Sequence, residues 1–163
     1  MQRPDATAAS DACRVVLVDD SSVIRGMVTR WLEQEPGIAV VGSAPNGAAA
    51  LSLVARVDPD VVVLDIEMPE MDGLTALPKL LAANREIKVV MASTLTLRNA
   101  DISMRALQLG AADYVAKPES ARDPNAAETF RRELIQKIRV LGGPRAARRR
   151  PNQTPRAARP LAA

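Results

Sequence analysis

The chain has no histidine and only one cysteine, Cys13, among its 163 residues. Without an imidazole, its own residues cannot form a Ser-His-Asp or Cys-His catalytic site. A histidine-ligated metal site is excluded for the same reason. A single cysteine also rules out an internal disulfide. The groups left for chemistry are carboxylates, hydroxyls and lysines.

Long apolar runs are missing as well. No stretch approaches the roughly 20 apolar residues that a membrane-spanning helix requires. The first residues lack the basic start and apolar stretch of a secretory signal. These absences predict a cytoplasmic protein without membrane insertion. The composition, 47% hydrophobic and 25% charged, is typical of a globular domain.

Positive charge is concentrated at one end of the chain. Residues 142–163 contain six arginines and no acid, so the formal net charge of +3 leaves −3 for residues 1–141. This Pro-, Ala- and Arg-rich segment predicts a disordered linker or tail. A basic run can bind nucleic acid, but this one lacks aromatic residues for stacking on bases. We therefore expect a linker and no nucleic-acid partner.

The remainder, after a flexible lead over residues 1–13, predicts one domain over residues 14–141. Apolar runs predict strands over residues 14–18, 38–42, 60–65, 87–92 and 113–116. Helical periodicity predicts helices over residues 23–32, 48–57, 74–83, 99–109 and 126–141. Pro78 predicts a kink or a delayed start in the third helix, and Gly142-Gly143-Pro144 predicts the end of the last.

Strands that alternate with helices indicate an α/β fold with a five-stranded parallel, doubly wound sheet. The flavodoxin-like strand order 2-1-3-4-5 is taken from known folds of this kind. In such sheets ligands bind beyond the carboxyl ends of the strands. The candidate functional residues all fall at predicted strand ends: Asp19 and Asp20, Asp65, Ser93 and Thr94, and Lys117.

These residue types favour phosphoryl chemistry. Crowded carboxylates raise one another's pKa, and a hard cation such as Mg²⁺ (or Mn²⁺) removes that conflict while leaving room for a phosphate. A carboxylate can act as a nucleophile and form an aspartyl phosphate. The cation, the Lys117 ammonium and a hydroxyl would share the charge of the transferring oxygens.

Four motifs together resemble the signature of response-regulator receiver domains. They are Val18-Asp19-Asp20, residues 64–73 (LDIEMPEMDG), Ser93-Thr94, and Lys117-Pro118. The resemblance covers about residues 14 to 141. It implies a protein phosphorylated by a histidine kinase of a two-component system.

The resemblance also implies a role for each matching residue. Asp65 resembles the phosphoacceptor, and Lys117 the lysine that contacts the phosphate, with the peptide bond to Pro118 often cis. The implied metal site consists of Asp19, Asp20, Asp65 and the backbone carbonyl of Glu67. Ser93, or its neighbour Thr94, resembles the switch hydroxyl, and Tyr114 resembles the switch aromatic residue.

Residues 65–73, 91–96 and 105–119 are similar to the receiver half of chemotaxis protein-glutamate methylesterases of the CheB type. That likeness implies a kinase of the chemotaxis type, a C-terminal effector domain, and chemoreceptors as indirect partners. The chain itself contains no esterase site, so whether it counts as an enzyme stays open.

Each motif alone has an ordinary structural explanation. Asp19 and Asp20 can cap a helix, Asp65 can be a turn residue, and Lys117 can be a solvated charge. Only their coincidence at one sheet edge favours a site. Three alternatives stay open: a stand-alone or DNA-binding-output receiver, a pseudo-receiver scaffold, and a small haloacid-dehalogenase-like phosphatase. The last usually has a second Asp where this chain has Glu67.

Overall fold

Five strands and five helices alternate along the chain in the computed structural model, which describes residues 12–94, 96–119 and 122–148. The strands are β1 Cys13–Val18, β2 Ile38–Ala44, β3 Val61–Asp65, β4 Lys88–Thr94 and β5 Asp113–Lys117. The helices are α1 Ser22–Glu33, α2 Gly47–Val57, α3 Gly73–Ala83, α4 Leu97–Gln108 and α5 Pro124–Arg148.

All strands are parallel, and their order is β2-β1-β3-β4-β5. The predicted α/β fold and its strand order are therefore confirmed. Strand β3 lies at the centre, and all five of its residues are buried. Alternate residues of the inner strands face two apolar layers, one shared with α2, α3 and α4 and the other with α1 and α5. This double burial explains the continuous apolar runs of the sequence.

Four helices begin at a residue whose side chain accepts a hydrogen bond from the backbone three residues further on. These N-caps are Ser21, Asn46, Asp72 and Thr96. Each satisfies one of the backbone N–H groups that a helix start leaves without an intrahelical partner. The caps fix where α1, α3 and α4 leave the carboxyl ends of their strands, which is the edge where the candidate residues lie.

The prediction that the last helix ends before Gly142 is wrong, because α5 continues through Gly142-Gly143-Pro144 to Arg148. Gly142 is buried, and a Cβ there would come within 2.3 Å of Cys13 Sγ. Ala146 is buried too. Pro144 is exposed, so the carbonyl that loses its helical partner can bind water. Tertiary packing thus overrides weak local helix propensity.

Helix α3 begins at Gly73, one residue before the expected start, and runs uninterrupted through Pro78. The delayed start that Pro78 predicted is therefore wrong. Pro78 is exposed, and the cap at Asp72 fixes the start upstream of it. Residues 1–11 of the expected lead and residues 149–163 of the expected tail lie outside the described residues. Across the described ranges, no helix is long and apolar enough to cross a membrane.

Candidate phosphoacceptor site

Three aspartates and a lysine meet at the carboxyl edge of the sheet. Asp65 is the last residue of β3 and Lys117 the last of β5, while Asp19 and Asp20 directly follow β1. One carboxylate oxygen from each aspartate lies within 4.8 Å of the other two. The parallel topology therefore brings together four residues that the sequence had singled out across nearly 100 positions.

Lys117 joins two of the three acids. Its Nζ lies 2.9 Å from Asp19 Oδ2 and 3.0 Å from Asp65 Oδ1. Asp65 is 3% exposed and Asp19 is 6% exposed, whereas Asp20 is exposed. A charged pair at this depth requires good geometry and further hydrogen bonds to offset its desolvation. The site thus holds a buried cation between two buried carboxylates, with a third carboxylate at its mouth.

Burial raises the pKa of Asp65 from 3.8 to about 6, opposed by the Lys117 charge and reinforced by Asp19. Burial alone would lower the pKa of Lys117, but the charges of Asp65 and Asp19 outweigh it and raise that pKa. Near neutral pH, Asp65 is therefore ionised and able to act as a nucleophile. It is also a poorly solvated anion, which a bound cation would stabilise.

One backbone donor and one side-chain donor hold Asp19 in place. The Ser21 N–H donates to Asp19 Oδ1 at 2.9 Å, and Arg25 Nη1 donates to the Asp19 carbonyl at 2.6 Å. Sequence reasoning missed Arg25, since an arginine in the first turns of a helix carries no distinctive signal. Arg25 also lines the small cavity between Asp65, Lys117 and Phe130. Through its bond to the Asp19 carbonyl, Arg25 thus holds the loop after β1 against the first turns of α1.

The loop after β3 folds back onto the end of that strand. The Glu67 N–H donates to Asp65 Oδ1 at 3.3 Å, and the Gly73 N–H donates to the Ile66 carbonyl at 2.9 Å. A Cβ on Gly73 would lie 2.2 Å from the Asp65 carbonyl oxygen. Only glycine allows this approach. In the sequence, the Met71-Asp72-Gly73 part of the motif marked Gly73 but did not show that a glycine is needed there for close packing against Asp65.

The acid cluster suits a hard divalent cation. Its donors are carboxylate oxygens, which Mg²⁺ prefers, and Asp20 opens onto a groove lined by Glu67 and Asp72 among others. That open side leaves room for the waters that Mg²⁺ retains and for a phosphoryl group. Asp19, Asp20 and Asp65 could hold the ion, with the Glu67 backbone beside them.

The two candidate hydroxyls lie at the end of β4, between the strands that carry Asp65 and Lys117. Ala92 pairs with Asp65 in the sheet register, and Thr94 pairs with Lys117. Ser93 is buried. Thr94 Oγ1 accepts a hydrogen bond from Asn99 Nδ2 at 3.1 Å. The two neighbouring hydroxyls thus have different surroundings.

Tyr114 lies on the surface of the domain, 41% exposed. Lys137 Nζ lies 5.5 Å from the centre of its ring and donates to its backbone carbonyl. The ring is therefore outside the acid cluster. The described residues contain no cis peptide bond, so the bond before Pro118 is trans, unlike the cis form often implied by the resemblance.

Comparison with known proteins agrees with this geometry. The model of the family described as "Response regulator receiver domain" matches residues 15–127. A solved structure of the response regulator domain of Thermotoga maritima CheB is 35% identical and has a TM-score of 0.71. That match covers 80% of this chain and 96% of that one. The receiver domain of a NarL regulator from Mycobacterium tuberculosis is 30% identical, with a TM-score of 0.65 over 78% and 97% of the two chains.

Longer relatives share the same region. A "Protein-glutamate methylesterase/protein-glutamine glutaminase of group 2 operon" from Rhodopseudomonas palustris is 57% identical over 137 residues, 84% of this chain and 35% of that protein. A similarly named protein from Paramagnetospirillum magneticum is 57% identical over 157 residues, 95% of this chain and 41% of the relative. The chain thus spans well under half the length of these relatives.

The chain belongs to the response regulator receiver domains. This membership excludes the haloacid-dehalogenase-like phosphatase that the sequence left open. Within the family, the chain is the receiver domain of a CheB-type response regulator.

Proposed function

We propose that this domain is a switch in which Asp65 accepts a phosphoryl group from a phosphohistidine of a separate kinase, with Mg²⁺ (or Mn²⁺) bound. One observation carries the proposal above all. Asp65 is buried at a strand end, has Lys117 Nζ 3.0 Å from its carboxylate, and shares a 4.8 Å cluster with two further aspartates. A pseudo-receiver scaffold needs no such complete set.

The transfer forms one bond and breaks one. A carboxylate oxygen of Asp65 bonds to phosphorus as the phosphorus–nitrogen bond of phosphohistidine breaks, and the imidazole keeps the electron pair. Lys117, already within hydrogen-bond distance of Asp65, stabilises charge on the transferring oxygens. A bound Mg²⁺, held by Asp19, Asp20 and Asp65, would neutralise the same developing charge.

The phosphoryl group adds negative charge and acceptor oxygens at the sheet edge. In this proposal the Ser93 hydroxyl moves towards it, and Tyr114 turns inward from its surface position. Ser93 is favoured over Thr94 because Thr94 Oγ1 already accepts a hydrogen bond from Asn99. Phosphorylation then shifts a two-state equilibrium that alters the surface of α4 and β5.

We further propose that the switch controls an attached effector domain of the kind named in the longer relatives. Those names favour a methylesterase or glutaminase output over a DNA-binding one. A chemotaxis-type histidine kinase would be the direct partner, and chemoreceptors would be reached only through the effector domain. The reaction would take place in the cytoplasm.

The test is intact-protein mass spectrometry after incubation with acetyl phosphate and Mg²⁺. We expect a single adduct of about 80 Da on the wild type, absent with EDTA and absent in Asp65→Asn. Glu70→Gln is the matched control, because Glu70 is an exposed carboxylate of the same loop that lies outside the acid cluster and the groove beside it. That variant should keep the adduct. No adduct on folded wild type, with acetyl phosphate or with candidate kinases, would leave the scaffold as the better account.

A further inference from the structure

The junction between β4 and α4 contains an asparagine that is tied to the residue after Ser93. Asn99 Nδ2 donates to the Thr94 carbonyl at 2.9 Å and to Thr94 Oγ1 at 3.1 Å. Among the described residues, Ser93 Oγ has no hydrogen-bond partner. At the end of β4, the Thr94 hydroxyl is therefore held by a hydrogen bond, whereas the Ser93 hydroxyl directly before it is available to bind a phosphoryl group at Asp65.

Asn99 is not needed as a helix cap. Thr96 already caps α4, and its Oγ1 accepts the backbone N–H of Asn99 at 3.0 Å. The Asn99 side chain instead reaches back across the connection to the last residue of β4. It is 2% exposed, so both donations are made away from solvent, where a lost partner costs most. The side chain of Asn99 thus ties the first turn of α4 to the end of β4.

The bonds of Asn99 favour one arrangement without fully satisfying the side chain. Within the described residues, its Oδ1 is buried and has no partner. A buried acceptor left in this way costs free energy, which reduces the net stabilisation that the two donations from Nδ2 provide. Such a contact is strong enough to favour one position of the β4 end and weak enough to be released.

We propose that Asn99 is a positioning residue. Its hydrogen bonds to Thr94 hold the end of β4 in the position it has when Asp65 is unphosphorylated, and they break when Asp65 is phosphorylated. The proposal rests on the phosphorylation switch proposed above. In that switch the end of β4 moves towards Asp65 together with the Ser93 hydroxyl, and Thr94 moves with it. The bonds from Asn99 to Thr94 oppose that movement.

A thermodynamic consequence follows. A contact made in only one of two states biases the equilibrium towards that state, and its removal lets a ligand of the other state bind more tightly. We therefore expect Asn99→Ala to bind beryllium fluoride with Mg²⁺, a phosphoryl mimic, about two- to tenfold more tightly than wild type. That is the range set by the loss of one net hydrogen bond. Thr94→Val, which removes only the hydroxyl partner, should act in the same direction and by less.

Asn84→Ala is the matched control. Asn84 also donates a side-chain hydrogen bond, at 3.1 Å to Asp58, but at the opposite edge of the sheet. Its loss should lower the melting temperature and leave the affinity for beryllium fluoride unchanged. An effect common to both asparagine variants would indicate general loosening of the fold, and it would overturn the specific role of Asn99.

A spectroscopic readout on the wild type does not depend on how the variants fold. In ¹H–¹⁵N spectra, the side-chain amide of Asn99, assigned on the wild type by triple-resonance correlation to its own backbone, should exchange slowly with water in the free protein. On saturation with Mg²⁺ and beryllium fluoride it should shift and exchange faster. An amide that stays protected, or a folded Asn99→Ala with unchanged or weaker binding, would overturn the proposal. Failure of the wild type itself to bind or to be phosphorylated would instead refute the phosphorylation switch.

Discussion

At the scale of single residues, the chemistry of the site lies in the opposition between burial and charge at Asp65. Burial destabilises the ionised carboxylate of Asp65, and the charge of Lys117 offsets only part of that effect, since the Asp65 pKa is still raised to about 6. Catalytic carboxylates are commonly tuned in this direction by desolvation. A buried, ionised Asp65 therefore lowers the free energy of unfolding, and this loss can be measured.

We expect Asp65→Asn to be more stable than wild type at pH 7.5 in EDTA, by about 1 to 3 kcal/mol in the free energy of unfolding. Because the folded pKa lies above the unfolded value of 3.8, the folded state binds more protons between about pH 4 and pH 6. Wild-type stability therefore falls as pH rises through that window, whereas the neutral Asn is unaffected.

Urea unfolding of both proteins at pH 4, 5, 6 and 7.5 checks this prediction. The difference between the two should be small at pH 4, where Asp65 is protonated, and should level off above pH 6. A wild type that gains stability relative to Asp65→Asn as the pH rises would contradict the cause assigned here.

At the scale of elements, the β3–α3 loop is held by a close backbone approach. Helix propensity alone favours alanine over Gly73 by about 1 kcal/mol. The 2.2 Å approach of a Cβ to the Asp65 carbonyl opposes this, and overpacking of this kind costs about 1 to 3 kcal/mol. We therefore expect Gly73→Ala to lower the free energy of unfolding and to slow phosphorylation by acetyl phosphate.

Gly26→Ala is the companion variant. Gly26 also lies in a helix, but a Cβ there would have no atom within 4 Å, so the substitution should stabilise the protein by about 0.5 to 1 kcal/mol. Urea unfolding should move the two glycine variants in opposite directions, and only Gly73→Ala should slow phosphorylation. If Gly73→Ala were as stable and as readily phosphorylated as wild type, the close approach would not constrain the loop.

The same elements show what the sequence could predict. The run from Val61 to Leu64, ending in Asp65, predicted a buried central strand with an acid at its carboxyl end, because parallel sheets impose that pattern. The meeting of Asp65 with Lys117 followed from topology. The bonds from Asn99 to Thr94 did not, since they depend on the conformation of the connection between β4 and α4, which hydrophobic periodicity does not describe.

The end of α5 was missed for a different physical reason. Gly142 and Pro144 are helix-breaking by local propensity, and local propensity is what a sequence pattern reports. The stabilising contacts come from residues far away along the chain, between 59 and 87 positions from Arg145. Tertiary contacts of this range cannot be inferred from a single sequence.

At the scale of the whole molecule, α5 ties together the sheet edge opposite the phosphoacceptor. Arg145 Nη2 lies 2.7 Å from Asp58 Oδ1, Nη1 lies 3.3 Å from Asp60 Oδ1, and Nε lies 3.4 Å from Glu86 Oε2. Asp60 is fully buried and also accepts the Arg14 N–H at 2.8 Å. The last turns of α5 are therefore part of the folded unit.

We expect Arg145→Met to lower the free energy of unfolding by about 1 to 3 kcal/mol, because it removes the ion pairs of Arg145 with the buried Asp60 and with Asp58. This loss of stability is smaller than that expected for a fully broken buried ion pair, because the Arg14 N–H still donates to Asp60. Phosphorylation by acetyl phosphate should proceed at the wild-type rate, because the contact lies at the far edge of the sheet. Urea unfolding and the mass-spectrometric assay measure the two quantities on the same samples.

Arg148→Met serves as the control, because Arg148 is exposed one turn further along α5 and its loss should change stability by less than about 0.5 kcal/mol. A chain shortened after Gly143 should lose as much stability as Arg145→Met or more, since it also loses the buried Ala146. If both Arg145→Met and the shortened chain matched the wild type in urea, the helix beyond Gly143 would contribute nothing to the fold, and the domain would end near residue 141 as the sequence had predicted.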